Sequence, residues 1–246
     1  RQDQSASLFD DITDPGLDTS GRPPIKPAVP WVQAELLSKE RELVGRYLSA
    51  HPLDPFYMEL RYGTVSIKDF TSEDFVIEEG KEVVLGGMAS DFQTRPGKNG
   101  PWGILTLEDL SGSTELRLFG QTYSQFNSYC TSGQFIRVIG KYQRRFREDE
   151  PRFNIVSITR LDDIKGRIIH GISIRLNTDR LTKTFVDLLK EHSEAYTDNR
   201  GELRITLYDP KMNRSVNLTA QRPIPVNKEL IEMLESENIT YSIIKQ

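Results

Sequence analysis

Aromatic rings and guanidinium groups recur close together between Arg95 and Arg152, and that pairing of residue types suits one chemistry, the holding of single-stranded nucleic acid. Aromatic faces contribute roughly 1–3 kcal/mol for each base stacked on them, and cations track the phosphates. Trp102 and Phe119 supply rings, with Arg117 two residues before the second. Arg95 and Lys98 flank Pro96-Gly97 just ahead of Trp102, and Arg144-Arg145-Phe146-Arg147 puts three arginines and a ring into a second loop. Arg137, Lys141 and Arg152 extend the basic strip. Glu148-Asp149-Glu150 then reverses the sign, so a competing reading leaves the hairpin as a solvated tip. A second competing reading buries Trp102 in the core, which a one-residue slip of strand register would do.

Catalytic chemistry has little to stand on. The chain contains no P-loop, no GxSxG, no HExxH and no Cys/His pair. Asp109, Asp162 and Asp163 are the carboxylates nearest to a metal set, but Asp109 leads into a Ser-Gly turn and the other two read as a strand end. One cysteine, Cys130, and three scattered histidines leave no zinc ligand set, so neither metal nor cofactor is expected. His51 precedes Pro52 at a helix end, where a structural or capping role is expected.

Strands must position the rings and cations. The apolar run Val83-Val84-Leu85 ends in Gly86-Gly87, and Trp102–Leu107, Thr114–Phe119, Phe135–Tyr142 and Phe153–Thr159 follow. Each is rich in β-branched and aromatic residues and bounded by Gly, Pro, Asn or Asp. With one helical insert, Gln121–Tyr129, the five strands predict a small Greek-key barrel of the oligonucleotide-binding type, an OB-fold, over residues 79–165. If Leu105 and Leu107 face the core, alternation sends Trp102, Ile104 and Thr106 outward; burying Leu116 and Leu118 turns Glu115, Arg117 and Phe119 out beside them.

At 246 residues, 37% hydrophobic and 28% charged, the chain has room for two or three globular units with their own cores. No apolar run approaches the ~20 residues a membrane helix needs. The net charge of −4 by itself speaks against nucleic acid, but its distribution does not. Residues 81–165 hold 12 Lys and Arg against 10 Asp and Glu, a balance of +2 that leaves −6 for the flanks, so the barrel is the basic part of an acidic chain. The single cysteine suits a reducing cytoplasm, and residues 1–30 lack the apolar core of a signal peptide. A start without Met, inside a linker-like run, suits a piece of something longer.

Residues 1–30 carry five prolines among Asp, Ser, Thr and Gly, so a mobile tail is expected. Its Leu8-Phe9 pair either packs back on its own domain or forms a short linear motif for a partner's pocket. Residues 31–78 read as a helical connector. Leu36, Leu37, Leu43, Val44, Tyr47 and Leu48 recur at helical spacing over Val32–Ala50, Asp54-Pro55 opens a short helix through Leu60, and Ile67–Phe70 leads to the barrel. Residues 166–246 predict strand, helix, strand, strand, helix, strand. These are Arg167–Arg175, a helix bearing Leu181, Phe185, Leu188 and Leu189 capped by Asn177, Glu202–Tyr208 and Ser215–Ala220 around Asp209-Pro210, Lys228–Ser236 capped by Asn227, and Thr240–Ile244. The expected fold class is mixed and multi-domain: a helical connector, a five-stranded OB-fold β-barrel and a C-terminal α+β domain.

Three stretches resemble the C-terminal third of the bacterial DNA polymerase III alpha subunits, the family C replicative polymerases. They are Glu40-Arg-Glu-Leu-Val-Gly-Arg-Tyr-Leu-Ser-Ala-His-Pro-Leu-Asp54, Ile104-Leu-Thr-Leu-Glu-Asp-Leu-Ser-Gly112 and Glu115-Leu-Arg-Leu-Phe119. The first resembles the helix closing the fingers region and the other two the family's barrel. The resemblance implies that the barrel meets single-stranded template, that the terminal domain docks the tau subunit of the clamp loader, and that a motif ahead of the barrel binds the β sliding clamp. That motif is Gln, two variable residues, then Leu-Phe. Here Gln4 is followed by three residues before Leu8-Phe9, so either the spacing is one longer or Ser5 occupies the glutamine slot. The family's polymerase carboxylates lie in a palm that this chain lacks, so the resemblance implies no catalysis by this piece, although its parent would be a DNA-directed DNA polymerase. The alternative is a protein-docking module whose barrel never touches DNA.

Overall fold

The computed structural model describes residues 39–40, 42–43, 50–144 and 151–245. The chain divides after Ala50. In the first unit Lys39, Glu40, Glu42 and Leu43 are helical. The hydrogen bond and charge of Lys39, 2.7 Å away, hold the Glu42 carboxyl below its ordinary value. The rest of the expected Val32–Ala50 helix, and Gln4, Leu8 and Phe9, lie outside the described residues.

Leucines at alternate positions set the first sheet of the second unit. Its strands are β1 (Glu82–Arg95), β2 (Trp102–Glu108), β3 (Ser113–Leu118), β4 (Phe135–Gln143) and β5 (Arg152–Arg160), in the antiparallel order β3-β2-β1-β4-β5. Leu85, Leu105, Leu107, Leu118, Ile136 and Val138 are sealed from solvent in one core. Strand β1 runs well past the end that Gly86-Gly87 predicts. The glycines are there for close approach: a Cβ on Gly86 would lie 2.7 Å from Leu60 Cδ2, and one on Gly87 2.3 Å from the Glu108 carbonyl oxygen. A bulge between Ala89 and Asp91 then inverts the alternation. Before it the odd residues Val83, Leu85 and Ala89 are buried; after it Asp91, Gln93 and Arg95 face out.

The five strands of the expected OB-fold barrel do not close into a ring. Among the described residues no ladder joins β3 to β5, so the sheet stays open along that seam. Phe70 and Phe153, whose ring centroids are 5.1 Å apart, line the gap, so side-chain packing spans it in place of backbone hydrogen bonds.

Ahead of both sheets in sequence, a 3-10 turn (Asp54–Phe56) precedes α1 (Tyr57–Gly63) and α2 (Ile67–Phe70). Leu53, Phe56 and Leu60 pack with Met88 and Leu161 on the outer side of the first sheet, while Tyr57, Met58 and Tyr62 join the core of the second. The His51 backbone N–H donates to Asp54 Oδ2 at 2.8 Å and His51 Nδ1 accepts from the Leu53 N–H at 3.2 Å, a capping arrangement. Asp109 organises backbone: Oδ1 accepts from the N–H groups of Ser111 and Gly112, and Oδ2 accepts from that of Ile67 at 2.8 Å.

The second sheet comprises β6 (Ile169–Asn177), β7 (Arg200–Asp209), β8 (Arg214–Thr219), β9 (Ile224–Pro225) and β10 (Thr240–Lys245). The order is β10-β6-β7-β8, with β9 on β7. Strands β6 and β7 are parallel and are connected through α4 (Lys183–Ala195), a crossover that parallel pairing requires. Helix α3 (Gly120–Phe126) is the insert of the first sheet, and α5 (Lys228–Ser236) packs on the second through Leu230, Ile231 and Leu234. Asn227 caps α5, accepting from the Leu230 N–H at 3.1 Å. Asn177 caps nothing, because a 3-10 turn (Thr178–Arg180) intervenes and Thr182 Oγ1 takes the Phe185 N–H instead. Arg61 bonds Glu235 at 2.8 Å, and Tyr241 donates to the same carboxylate at 2.7 Å while meeting the Tyr62 hydroxyl at 2.9 Å. Burial, then these two partners, push the Tyr241 hydroxyl far up.

Candidate nucleic-acid interface

Cross-strand register sorts the outer face of β1, β2 and β3 into rows. Because Leu105, Leu107, Leu116 and Leu118 point inward, Trp102, Ile104, Thr106, Glu115, Arg117 and Phe119 take the other side. Arg95 is opposite Trp102, whose ring stacks on Phe119 with centroids 5.2 Å apart and planes at 23°. The next row is Gln93, Ile104 and Arg117, and the third is Asp91, Thr106 and Glu115. The face therefore grades from rings and cations at the β1–β2 hairpin to carboxylates at the far end.

Local chemistry holds the cationic end in place. Gln93 accepts from Arg95 Nη2 at 3.1 Å and donates to Asp91 at 2.8 Å, which ties Arg95 along its strand. The hairpin turn folds onto the indole: a Cβ on Gly97 would lie 3.1 Å from Trp102 Cδ1. Trp102 is half-buried and Phe119 remains 45% exposed, so the stacked pair keeps ring surface open to solvent. Lys98 is exposed in the same turn.

The other cations go elsewhere. Arg152 faces Arg117 and Phe119 across the open seam, where all three line one cleft. Lys141 pairs with Glu82 at 3.2 Å, and Arg144 lies 3.8 Å from Glu79, whose carboxylate also accepts the Arg144 backbone N–H. Arg137 is opposite Gly86, on the side where α1 packs, and among the described residues its buried Nε has no hydrogen-bond partner; nor has Thr159 Oγ1 directly across from it. Arg145, Phe146 and Arg147 lie outside the described residues. Four of the expected residues, Arg95, Trp102, Arg117 and Phe119, thus share one surface, Arg152 faces it across the seam, and Arg137 is separated from it.

Residue-level reading missed Gln93, Thr122 and Asn154, which border the same surface or seam. For Gln93 the missing signal was the bulge in β1. For Thr122 and Asn154 it was the open seam, which no local pattern announces. Among the described residues no group of three or more His, Cys, Asp or Glu is placed to hold a metal.

Residues 83–161 match the family described as an OB-fold nucleic acid binding domain. Residues 172–244 match that of the DNA polymerase III alpha subunit, C-terminal domain. This chain resembles the C-terminal region of DNA polymerase III alpha subunits. The alpha subunit of Saccharopolyspora erythraea is 39% identical over 118 residues, which are 47% of this chain and 10% of that protein. Those of Haemophilus influenzae and Escherichia coli K12 are each 25% identical, covering 83% and 73% of this chain and 18% and 15% of their own lengths. The chain therefore spans less than a fifth of the alpha subunits it matches here. No helix among the described residues is long and apolar enough to cross a membrane.

Proposed function

We propose that this chain is a non-catalytic C-terminal module of a bacterial replicative DNA polymerase, built as connector, OB-fold unit and terminal α+β domain, that binds single-stranded DNA. The reading rests on one observation above the rest: the Trp102–Phe119 stack lies between Arg95 and Arg117 on an outer strand face of an OB-fold. Bases stack on the rings while the guanidinium groups meet phosphates. The similarity to alpha subunits supports two further roles, tethering to the β sliding clamp through Gln4, Leu8 and Phe9, and docking of the clamp-loader tau subunit by the terminal domain. Cytoplasmic residence in a bacterium goes with such work.

A docking-only reading draws on a different surface. Strand β8 is an edge strand with Val216 56% and Leu218 43% exposed, and Met212 in the preceding turn is 70% exposed. Fluorescence anisotropy with a labelled single strand over a range of salt separates the two. The proposal expects affinity to fall with salt, because cations that neutralise phosphates release counterions, and Arg95→Ala with Arg117→Ala to flatten that slope. No binding at low salt would leave docking alone.

A further inference from the structure

The open seam between β3 and β5 holds a cleft of about 510 Å³. Its floor is apolar, made of Leu116 and Ile155, two nearly buried core side chains. Phe119 and Phe153 also line it, and Arg117 and Arg152 line it from the two strands that border it. Two features identify the occupant. Among the described residues the lining sets two arginines against one carboxylate, Glu115, so the cleft favours an anion. Phe119 belongs both to this cleft and to the Trp102 stack, so a planar group can pass from one to the other along a continuous aromatic surface. A small apolar recess with a few convergent polar groups is the form a ligand site takes, and a flat ring joined to a phosphate meets every element of this one.

We propose that one nucleotide of a bound single strand leaves the Trp102–Phe119 platform and inserts its base into the seam between β3 and β5, its phosphate held between Arg117 and Arg152. This rests on the DNA-binding reading of the outer face and adds a pocket to it. Beyond Thr122 a second cleft, sharing Thr122, Asn154 and Ile155 with the first, continues to Arg144, so the strand has an exit. An extended peptide would use the two unpaired strand edges instead; the cationic rim and shared ring favour the nucleotide.

The test places a single 2-aminopurine at successive positions of a short oligothymidylate and follows its fluorescence alongside anisotropy. A base lifted from its neighbours into the cleft brightens several-fold, at one position only; the cleft-filling Asn154→Trp abolishes that signal, and Arg152→Glu abolishes it and also weakens the strand's hold. Binding with an even response along the strand, or with brightening that both variants leave intact, overturns the pocket and leaves the surface reading in force. No binding of any strand overturns the surface reading itself. Hydrogen exchange along β3 and β5 that slows with protein concentration and without DNA assigns the seam to a strand of a second copy, and also overturns the proposal.

Discussion

At Trp102 two neighbours decide the environment: Phe119 stacks on the ring and the Gly97 backbone meets its edge. Neither is visible from the tryptophan alone. The parity of Leu105 and Leu107 is, and it is enough to place the indole on the outer face. Cys130 is the opposite case, a polar atom withdrawn from solvent. Its Sγ lies 3.3 Å from the Phe126 carbonyl, and burial pushes the thiol up from 9.0 to about 12. The folded state thus keeps a proton that the unfolded chain releases. Stability from this group is whole below pH 9 and is lost as the pH climbs toward about 12. Below pH 9 an aromatic disulfide reagent should label Cys130 only as fast as the protein unfolds, and Cys130→Ala should soften the alkaline decline in stability. Labelling at the rate of a free thiol would contradict the burial.

At the scale of elements, α1 is the piece on which both sheets depend. Leu60 enters the small core with Met88 and Leu161, and Gly86 lets the helix come close; Met58 and Tyr62 of the same helix belong to the core of the second sheet. Leu60→Ala should cost about 2–5 kcal/mol in chemical denaturation, the ordinary range for a buried leucine whose site cannot collapse. A loss near zero would mean that α1 is not packed as described. Strand periods, the insert and the Asn227 cap were legible because each is written in adjacent residues. Strand β1 was cut short at Gly86-Gly87 because glycine signals a break locally, whereas here it answers to Leu60 and the Glu108 carbonyl far along the chain. Arg137 has the spacing of an outward cation, yet outward on β4 means toward α1, and layering is a non-local fact. The unclosed seam was missed for the same reason, since pairing of β3 with β5 depends on what fills the space between them.

For the whole molecule, charge is distributed against its total. The chain is net acidic, and its outer β1–β2–β3 face nevertheless gathers Arg95 and Arg117 around two rings. The second sheet offers contrasting surface chemistry: Arg204 is engaged by Glu202 through two hydrogen bonds of 3.0 and 2.7 Å. The central claim is that single-stranded DNA is gripped at the ring pair and not by arginines in general. The direct measurement is the dissociation constant of a labelled single strand for the unaltered chain and for Trp102→Ala, Phe119→Ala and Arg204→Ala. The account predicts that each ring variant weakens binding by about 1–3 kcal/mol, roughly 5- to 150-fold, while Arg204→Ala changes nothing. Ring variants that bind as tightly as the unaltered chain would contradict it.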